Sequence, residues 1–359
     1  MKLQGAKPGK RPRLFALFLC LKARMWYNSH KAAIIVGSRR KEHEVPFSSL
    51  LYGIMSLVEL CRVGKQEKTV RGTVRQMKRE EINIRDPFVL VHDGKYYLYG
   101  TRGATCWGEA DGFDCYVGTD LEEFEGPFEV FHKPEEFLPH KNYWAPEVYF
   151  YNGSFYMFAT FFTDDVGRGT HCLKAEHPLG PFVPYSDGSL TPKQWASLDG
   201  TLYVDTDGTP YMVFCHEWED TEGDGTICAQ KLTKDLKAPV GEPRFLFRAS
   251  DAMPAVAGFC HPRRGEIFVT DGPFLFRDKE GRLRMIWSSF AEGNQYCVAL
   301  ATPENGAFSD EWKPDPELLF AKDGGHGMLF EGLDGKRYLA LHSPNETLKE
   351  RPKFLEVEI

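Results

Sequence analysis

The stretch NIRDPFVLVHDGKYYLYGT, residues 83–101, decides how the rest of the chain is read. Asp86 stands between Arg85 and Pro87 and opens an apolar run from Phe88 to Val91. His92, Asp93 and Gly94 interrupt that run, and an aromatic one from Tyr96 to Tyr99 follows. Asp-Gly between two hydrophobic segments predicts a tight hairpin, because glycine tolerates the positive φ that such a turn needs. Asp86 then sits at the mouth of the hairpin.

The same grammar returns four times. APEVYFYNGSFYMFATF (145–161) turns at Asn152-Gly153, and LDGTLYVDTDGTPYMVFCHEW (198–218) turns at Asp207-Gly208. DGPFLFRDKEGRLRMIWSS (271–289) turns at Glu280-Gly281, and GGHGMLFEGLDGKRYLALHSPN (324–345) at Asp334-Gly335. A unit of this kind cannot bury its own faces, so it must stack on copies of itself. β-Hairpin units at this period predict an all-β, five-bladed β-propeller. Outer strands are expected at 114–117 and 127–131 in the first blade and at 171–175 and 181–185 in the second. Gly126-Pro127-Phe128 and Gly180-Pro181-Phe182 recur at equivalent places. The last residues, 353–359, alternate in polarity and are a candidate for the outer strand that closes the ring.

Composition supports one large core, with 42% hydrophobic and 14% aromatic residues in a chain of 359. Charge is unevenly placed: residues 1–80 hold 18 Lys+Arg against 5 Asp+Glu, a net of +13, and the remainder holds 26 against 46, a net of −20. Residues 1–76 carry no repeat and are expected to lie outside the fold, as a mis-called start or a dispensable extension. A basic arm binding an anionic surface is the alternative. Residues 77–359 are then the propeller. Within the extension, residues 50–60 could form an isolated helix. Nine scattered cysteines without metal-type pairs describe no disulfide framework and are read as small buried side chains. No run approaches the roughly 20 apolar residues that cross a bilayer. Residues 14–21, LFALFLCL, follow Lys10-Arg11-Pro12-Arg13 much as in a signal peptide, but Lys22-Ala23-Arg24 replaces a small-residue cleavage site. A cytoplasmic location is therefore expected over secretion. There is no phosphate loop, paired CxxC or nucleophile elbow.

In a propeller the innermost strands border one central channel. If the first strand of each repeat is innermost, Asp86, Glu147, Asp199, Asp271 and His326 share one end of it. Four carboxylates and an imidazole around one opening are costly to assemble, since like charges oppose ionisation, so the ring is read as a site. The blander readings are an Asp86–Arg85 ion pair, ordinary turn chemistry for Asp199 and Asp271, and a satisfied core histidine for His326. Return strands end at the same rim, bringing Arg102, residues 160–163, His216, Glu217, Trp218, Ser288, Ser289 and His342. Carboxylates, an arginine and flat rings suit a sugar. Arg102, Trp144, Glu147, His216, Glu217, Trp218 and Ser289 are the expected substrate contacts, with Trp107 also placed to stack, whereas Trp195 and Trp287 are expected to pack. The expected partner is an oligo- or polysaccharide, with neither nucleic acid nor membrane.

Arg85-Asp86-Pro87, Trp144-Ala145-Pro146-Glu147, Leu198-Asp199-Gly200, Asp271-Gly272-Pro273 and Gly325-His326-Gly327 closely resemble the successive blade-opening motifs of family 43 glycoside hydrolases. Those are five-bladed propellers acting on arabinan, xylan and related side chains, and the resemblance covers residues 83–359. It implies that Asp86 is the general base that activates water and that Asp199 orients the proton donor and tunes its pKa. It also puts Asp271 at the donor's place, where the family usually carries Glu before Gly-Pro. Aspartate is one methylene shorter, so the backbone must carry it closer, or Glu217 or Glu147 must serve instead. Inversion is implied, with base and acid about 6.5–9.5 Å apart. No cofactor is required by the resemblance, although it sets His326 near an axial metal or water, with Ca2+ as a possible structural ion. A glycan-binding propeller without hydrolysis is the alternative from a different class.

Overall fold

A computed structural model describes residues 74–359, which form a five-bladed propeller of antiparallel sheets. Blade 1 runs outward from Ile84–His92 through Lys95–Arg102 and Gly112–Gly118 to Glu123–His132. Blade 2 runs from Lys141–Tyr151 through Ser154–Thr163 and Gly167–Ala175 to Val183–Pro184, and blade 3 from Ser197–Val204 through Pro210–His216 and Thr226–Lys231 to Arg244–Arg248. Asp271–Arg277, Leu283–Ala291, Gln295–Pro303 and Trp312–Phe320 make blade 4, and Gly325–Glu331, Arg337–Ser343 and Arg351–Glu356 make blade 5. The first strand of every repeat is the innermost, and these strands touch their neighbours around the ring. No helix among the described residues is long and apolar enough to cross a membrane. The readings made above for residues 1–73, including the apolar stretch 50–60, the signal-like segment and the basic arm, lie outside the described residues.

All five expected hairpin turns form. In the first two blades both turn residues take positive φ, Asp93 at 46° with Gly94 at 70° and Asn152 at 47° with Gly153 at 83°, the geometry that matches strand twist in two-residue turns. Between blades the aromatic residues interlock. Tyr143 meets Phe161 edge-on at 4.7 Å beside Phe113 and Phe131, and Phe247 of blade 3 meets Trp287 of blade 4 at 5.3 Å. Such pairs contribute about 0.5–1.5 kcal/mol each beyond their buried area.

Three features depart from the sequence reading. Arg75–Lys78 pairs with the Glu123–Gly126 part of the outer strand of blade 1, so the fold begins ahead of residue 77, and Met77 is buried in the core. The outer strand of blade 2 shrinks to Val183–Pro184, since proline offers no N–H to extend a ladder. The C-terminal strand does supply the outer strand of blade 5, but no strand pairing joins blade 5 to blade 1. Side chains close that seam: Arg85 pairs with Glu350 at 2.8 Å, and Asn83 Nδ2 donates to the Glu350 carbonyl at 3.0 Å.

Residues 74–359 alone are expected to fold with the stability of the full chain. A chain starting at Arg79 loses the added strand and the burial of Met77, about 1.5–3 kcal/mol, and its Tm should fall by several degrees, at about 2–4 °C per kcal/mol. Equal melting temperatures for the two truncations would show that the strand contributes nothing.

Candidate active site

Each inner strand carries the same irregularity at its mouth. Pairing with the return strand holds at Arg85↔Thr101, Trp144↔Thr160, Leu198↔Cys215, Asp271↔Ser288 and Gly325↔His342, then resumes three residues on against two on the partner. That is a β-bulge, which bends the strand and re-aims a side chain. The residue after each paired position is left-handed: Asp86 at φ 52°, Ala145 at 46°, Asp199 at 56°, Gly272 at 46° and His326 at 51°. Four of the five are not glycine, a conformation that costs of order 1–3 kcal/mol each.

Hydrogen bonds from the preceding blade hold these residues. The Ala145 N–H donates to Thr101 Oγ1 at 2.8 Å, the Asp199 N–H to Thr160 Oγ1 at 2.9 Å, and the His326 N–H to Ser288 Oγ at 2.8 Å. The Asp86 N–H donates to His342 Nδ1 at 3.1 Å, carrying the pattern across the seam between blades 5 and 1. Every acceptor is the residue paired with the start of its own blade's bulge. Cys215 holds that place in blade 3, and there the Gly272 N–H bonds instead to Asp199 Oδ2 at 3.0 Å.

The register also corrects the ring read from the motifs. Asp86, Asp199 and His326 occupy equivalent left-handed positions, whereas Asp271 stands one residue earlier in its blade. Gly272 takes the left-handed place because a Cβ there would lie 2.7 Å from His326 Cδ2. Glu147 lies two residues beyond the left-handed Ala145, further along the strand. It accepts a 2.5 Å hydrogen bond from the Tyr149 hydroxyl, which also reaches Thr201 Oγ1 at 2.7 Å. Five motifs therefore place their polar residues at three strand positions, not one.

The carboxylates differ in their partners. Asp86 Oδ2 accepts the Thr101 hydroxyl at 2.5 Å, and Asp86 Oδ1 faces His326 Nδ1 at 3.3 Å and His342 Nδ1 at 3.5 Å. Burial pushes the Asp86 carboxyl up, yet His326, Arg85 and the Thr101 bond together hold it below the ordinary aspartate value. Burial and the Asp86 charge push Asp199 up to about 8, although it receives the Gly272 N–H and lies 3.6 Å from His326 Nδ1. Asp271 receives the Tyr296 hydroxyl at 3.0 Å, and burial with the Asp199 charge raises it to about 7. Burial likewise carries Glu147 to about 8. Burial drops His342 to about 3, so it is neutral, with Nδ1 free to accept and Nε2 facing Asn345 Oδ1 at 3.3 Å. The mouth thus combines an ionised carboxylate with two that retain protons near neutrality.

The mouth opens into a cleft of about 540 Å³. Asp86, Asp199, Asp271 and His326 line it, together with Trp144, Glu217 and Trp218 from the sequence-predicted contacts. Trp107, 63% exposed, also lines it and meets Trp144 edge-on at 5.5 Å. Arg102, Glu147, His216 and Ser289 are not among the lining residues. Arg102 is engaged by Asp114 at 2.7 Å, Asp111 at 3.0 Å and Glu129 at 3.3 Å. His216 stacks on Trp195 at 3.9 Å, and Ser289 is fully buried, as is Trp287.

Arg168 and Tyr296 were not singled out by the sequence. Arg168 ion-pairs with Glu217 and faces the Trp144 ring at 5.3 Å, which commits Glu217 to a partner. Both residues sit on third strands, outside the hairpin grammar, and no local signal marks them. Calcium takes six to eight oxygen ligands, whereas His326 turns one nitrogen toward Asp86 and Asp199. Among the described residues, metal-type ligand atoms come together at Asp111, Glu129 and His132, where the Arg102 guanidinium already pairs with Asp111 and Glu129.

Thr101→Val tests the coupling of fold and site. It removes a donor to Asp86 and strands the Ala145 N–H, so stability should fall by about 1–3 kcal/mol in denaturant unfolding. Losing a donor to the carboxylate raises its pKa, so any activity requiring ionised Asp86 should lose its acid limb at a higher pH than in the parent. An unmoved acid limb would remove Thr101 from the control of Asp86.

A family model described as glycosyl hydrolases family 43 matches residues 81–355. Among solved structures, an endo-arabinase from Bacteroides thetaiotaomicron VPI-5482 is 36% identical, covering 80% of this chain and 98% of its own, with a TM-score of 0.72. An endo-1,4-beta-xylanase from Bacteroides thetaiotaomicron VPI-5482 shares the fold at 24% identity, covering 79% and 92%, with a TM-score of 0.61. An alpha-L-arabinofuranosidase from Lactobacillus brevis does so at 17% identity, covering 76% and 90%, with a TM-score of 0.60. No curated protein sequence matches the chain.

Proposed function

This chain belongs to glycosyl hydrolases family 43, and we propose that it hydrolyses an arabinose-containing glycan with inversion at the anomeric carbon. The observation that carries the choice of sugar is the 36% identity to an endo-arabinase across 98% of that structure. The split in protonation among the buried carboxylates supports hydrolysis over simple binding, because acid–base catalysis needs one group ionised and another protonated at the same pH.

In this reading Asp86 takes a proton from water as the water oxygen attacks the anomeric carbon. The bond from that carbon to the glycosidic oxygen breaks, and the leaving oxygen takes the proton of Asp271. Solvent then resets both groups. Asp199 acts on Asp271 in two ways: neighbouring buried carboxyls resist both being ionised, which raises the acid's pKa, and Asp199 Oδ2 holds the adjoining Gly272 N–H. The Tyr296 hydroxyl orients the shorter aspartate side chain. Trp107, Trp144 and Trp218 offer flat faces for sugar rings, and Arg168 offers donors for hydroxyls.

Turnover on linear arabinan, aryl arabinofuranosides, aryl xylosides and xylan, with the product anomer followed by NMR, tests sugar and stereochemistry. Turnover of xylosides alone would replace the sugar, and retention would overturn the mechanism. Binding without turnover on all four would make the chain a glycan-binding propeller.

Asp86→Asn should abolish hydrolysis of every substrate. Asp271→Asn should cut arabinan hydrolysis by about 10²–10⁴-fold while sparing aryl glycosides whose leaving groups need little protonation. Full arabinan activity in Asp271→Asn, with loss in Glu217→Gln or Glu147→Gln, would move the acid to another blade.

The pH profile follows from the same assignment. The acid works only while protonated, so kcat/KM on arabinan should fall as pH rises through about 7, the value to which Asp271 is raised. The base works only when ionised, and because Asp86 is lowered, activity should persist below the ordinary aspartate range. For an activated aryl glycoside the alkaline limb should disappear. Its persistence there would assign that limb to another group.

A further inference from the structure

His342 can hold the backbone of Asp86 in only one of its two neutral forms. Its Nδ1 accepts the Asp86 N–H at 3.1 Å, so that nitrogen carries no proton and the ring proton sits on Nε2. The same Nδ1 lies 3.5 Å from Asp86 Oδ1. In the other tautomer an N–H would face that carboxylate oxygen, and the Asp86 N–H would lose its acceptor. Asp86 therefore pulls both ways: its N–H favours the first form and its ionised carboxyl the second. Burial drops His342 to about 3, which keeps the ring neutral and leaves the choice between these two forms.

The selection comes from the opposite edge of the ring. Nε2 faces Asn345 Oδ1 at 3.3 Å, its only hydrogen-bond partner among the described residues. Turning the amide over would set two donors against each other unless the ring changed tautomer and released Asp86, so the Asp86 N–H also fixes which way the amide points. Tyr296 stacks on the imidazole at 5.5 Å. Asn345 is half-buried and lines the cleft, and its own N–H donates to Asp323 Oδ2 at 3.3 Å, which anchors the backbone from which the amide reaches His342. The tautomer matters for the carboxylate. Asp86 Oδ2 already takes the Thr101 hydroxyl at 2.5 Å, and Oδ1 already faces His326 Nδ1 at 3.3 Å. A second imidazole donor on Oδ1 would occupy the side left for water.

We propose that Asn345 is a positioning residue for the base: by accepting from His342 Nε2 it selects the tautomer that grips the Asp86 N–H and keeps the imidazole proton off Asp86 Oδ1. The left-handed backbone of Asp86 is then held from blade 5, and its carboxylate keeps a lone pair for the proton of water. The role of Asp86 as base rests on the reading of the cleft as a glycan hydrolase site, whereas the link from Asn345 to the Asp86 N–H does not.

The test uses that difference. Nitrogen NMR of the His342 ring locates its proton, and hydrogen exchange of the Asp86 amide reports the grip, both without turnover. At about pH 8, above the ordinary histidine range, the parent should carry the proton on Nε2. Asn345→Leu removes the acceptor and should populate the Nδ1–H form and speed exchange of the Asp86 amide. Asn345→Asp keeps an oxygen acceptor and should hold the parent tautomer. On an aryl arabinofuranoside with a good leaving group at the same pH, Asn345→Leu should lower kcat about ten- to a hundredfold with KM unchanged, and Asn345→Asp should recover most of kcat. A protonated Nδ1 in the parent would overturn the proposal, as would an unmoved ring and amide in Asn345→Leu or equal kcat losses in the two variants. A parent that turns over no glycoside, while ring and amide respond as expected, would remove the function and keep this role of Asn345. Turnover by the parent with an unresponsive ring would do the reverse. Should Asn345→Leu fold poorly, Asn345→Val takes its place in every comparison.

Discussion

The structure depends on one repeated hydrogen bond, from the N–H of a left-handed residue at the mouth of each blade to a side chain of the blade before it. A bulge takes that N–H out of its own ladder, and a buried N–H must find an acceptor elsewhere. Thr101, Thr160, Ser288 and His342 supply it in four of the five junctions. Assembling the ring and aiming the functional side chains are therefore the same event, since Asp86, Asp199 and His326 are themselves the left-handed residues. The seam between the last blade and the first is closed by His342 without a shared strand, which also means that blade 5 takes part in placing Asp86 of blade 1.

The exception is informative. Cys215 stands where the other blades have a strong acceptor, and sulfur accepts hydrogen bonds weakly. The Gly272 N–H turns to Asp199 Oδ2 instead. A carboxylate from the mouth of blade 3 thereby grips the backbone next to Asp271 in blade 4, which a threonine at residue 215 would make unnecessary.

Electrostatic differentiation follows from who supplies the donors. Asp86 is surrounded by His326, Arg85 and the Thr101 hydroxyl, and stays ionised despite burial. Asp271 has a single phenol and Asp199 a single amide N–H, too little to offset burial and a neighbouring carboxylate, Asp199 for Asp271 and Asp86 for Asp199. The same residue type thus carries opposite protonation states within one mouth. Outside it, Arg102 is absorbed by Asp111, Asp114 and Glu129 of its own blade, and His216 by the Trp195 ring.

The periodic hairpins, their Gly turns, the innermost position of each first strand and the membership of Asp86, Asp199, Asp271 and His326 in one mouth were legible in the sequence, because a two-residue turn and an alternating strand are local patterns. So was Trp144 beside the cleft. The level of each residue was not: Asp271 and Glu147 share a motif position with Asp86 but not a backbone position, and the bulge that separates them is defined only by pairing to another strand. Arg168 and Tyr296 come from third strands and reach the site through interblade packing, for which no neighbouring residue in sequence gives a sign. The Arg75–Lys78 strand was likewise invisible, because its partner lies some 50 residues away in the outer edge of blade 1. The sequence by itself determined the repeat and the chemistry brought to its mouth, since those are written within single hairpins. Only the tertiary structure decided which carboxylate is ionised and which side chains face the cleft, since both depend on donors and walls contributed by adjacent blades.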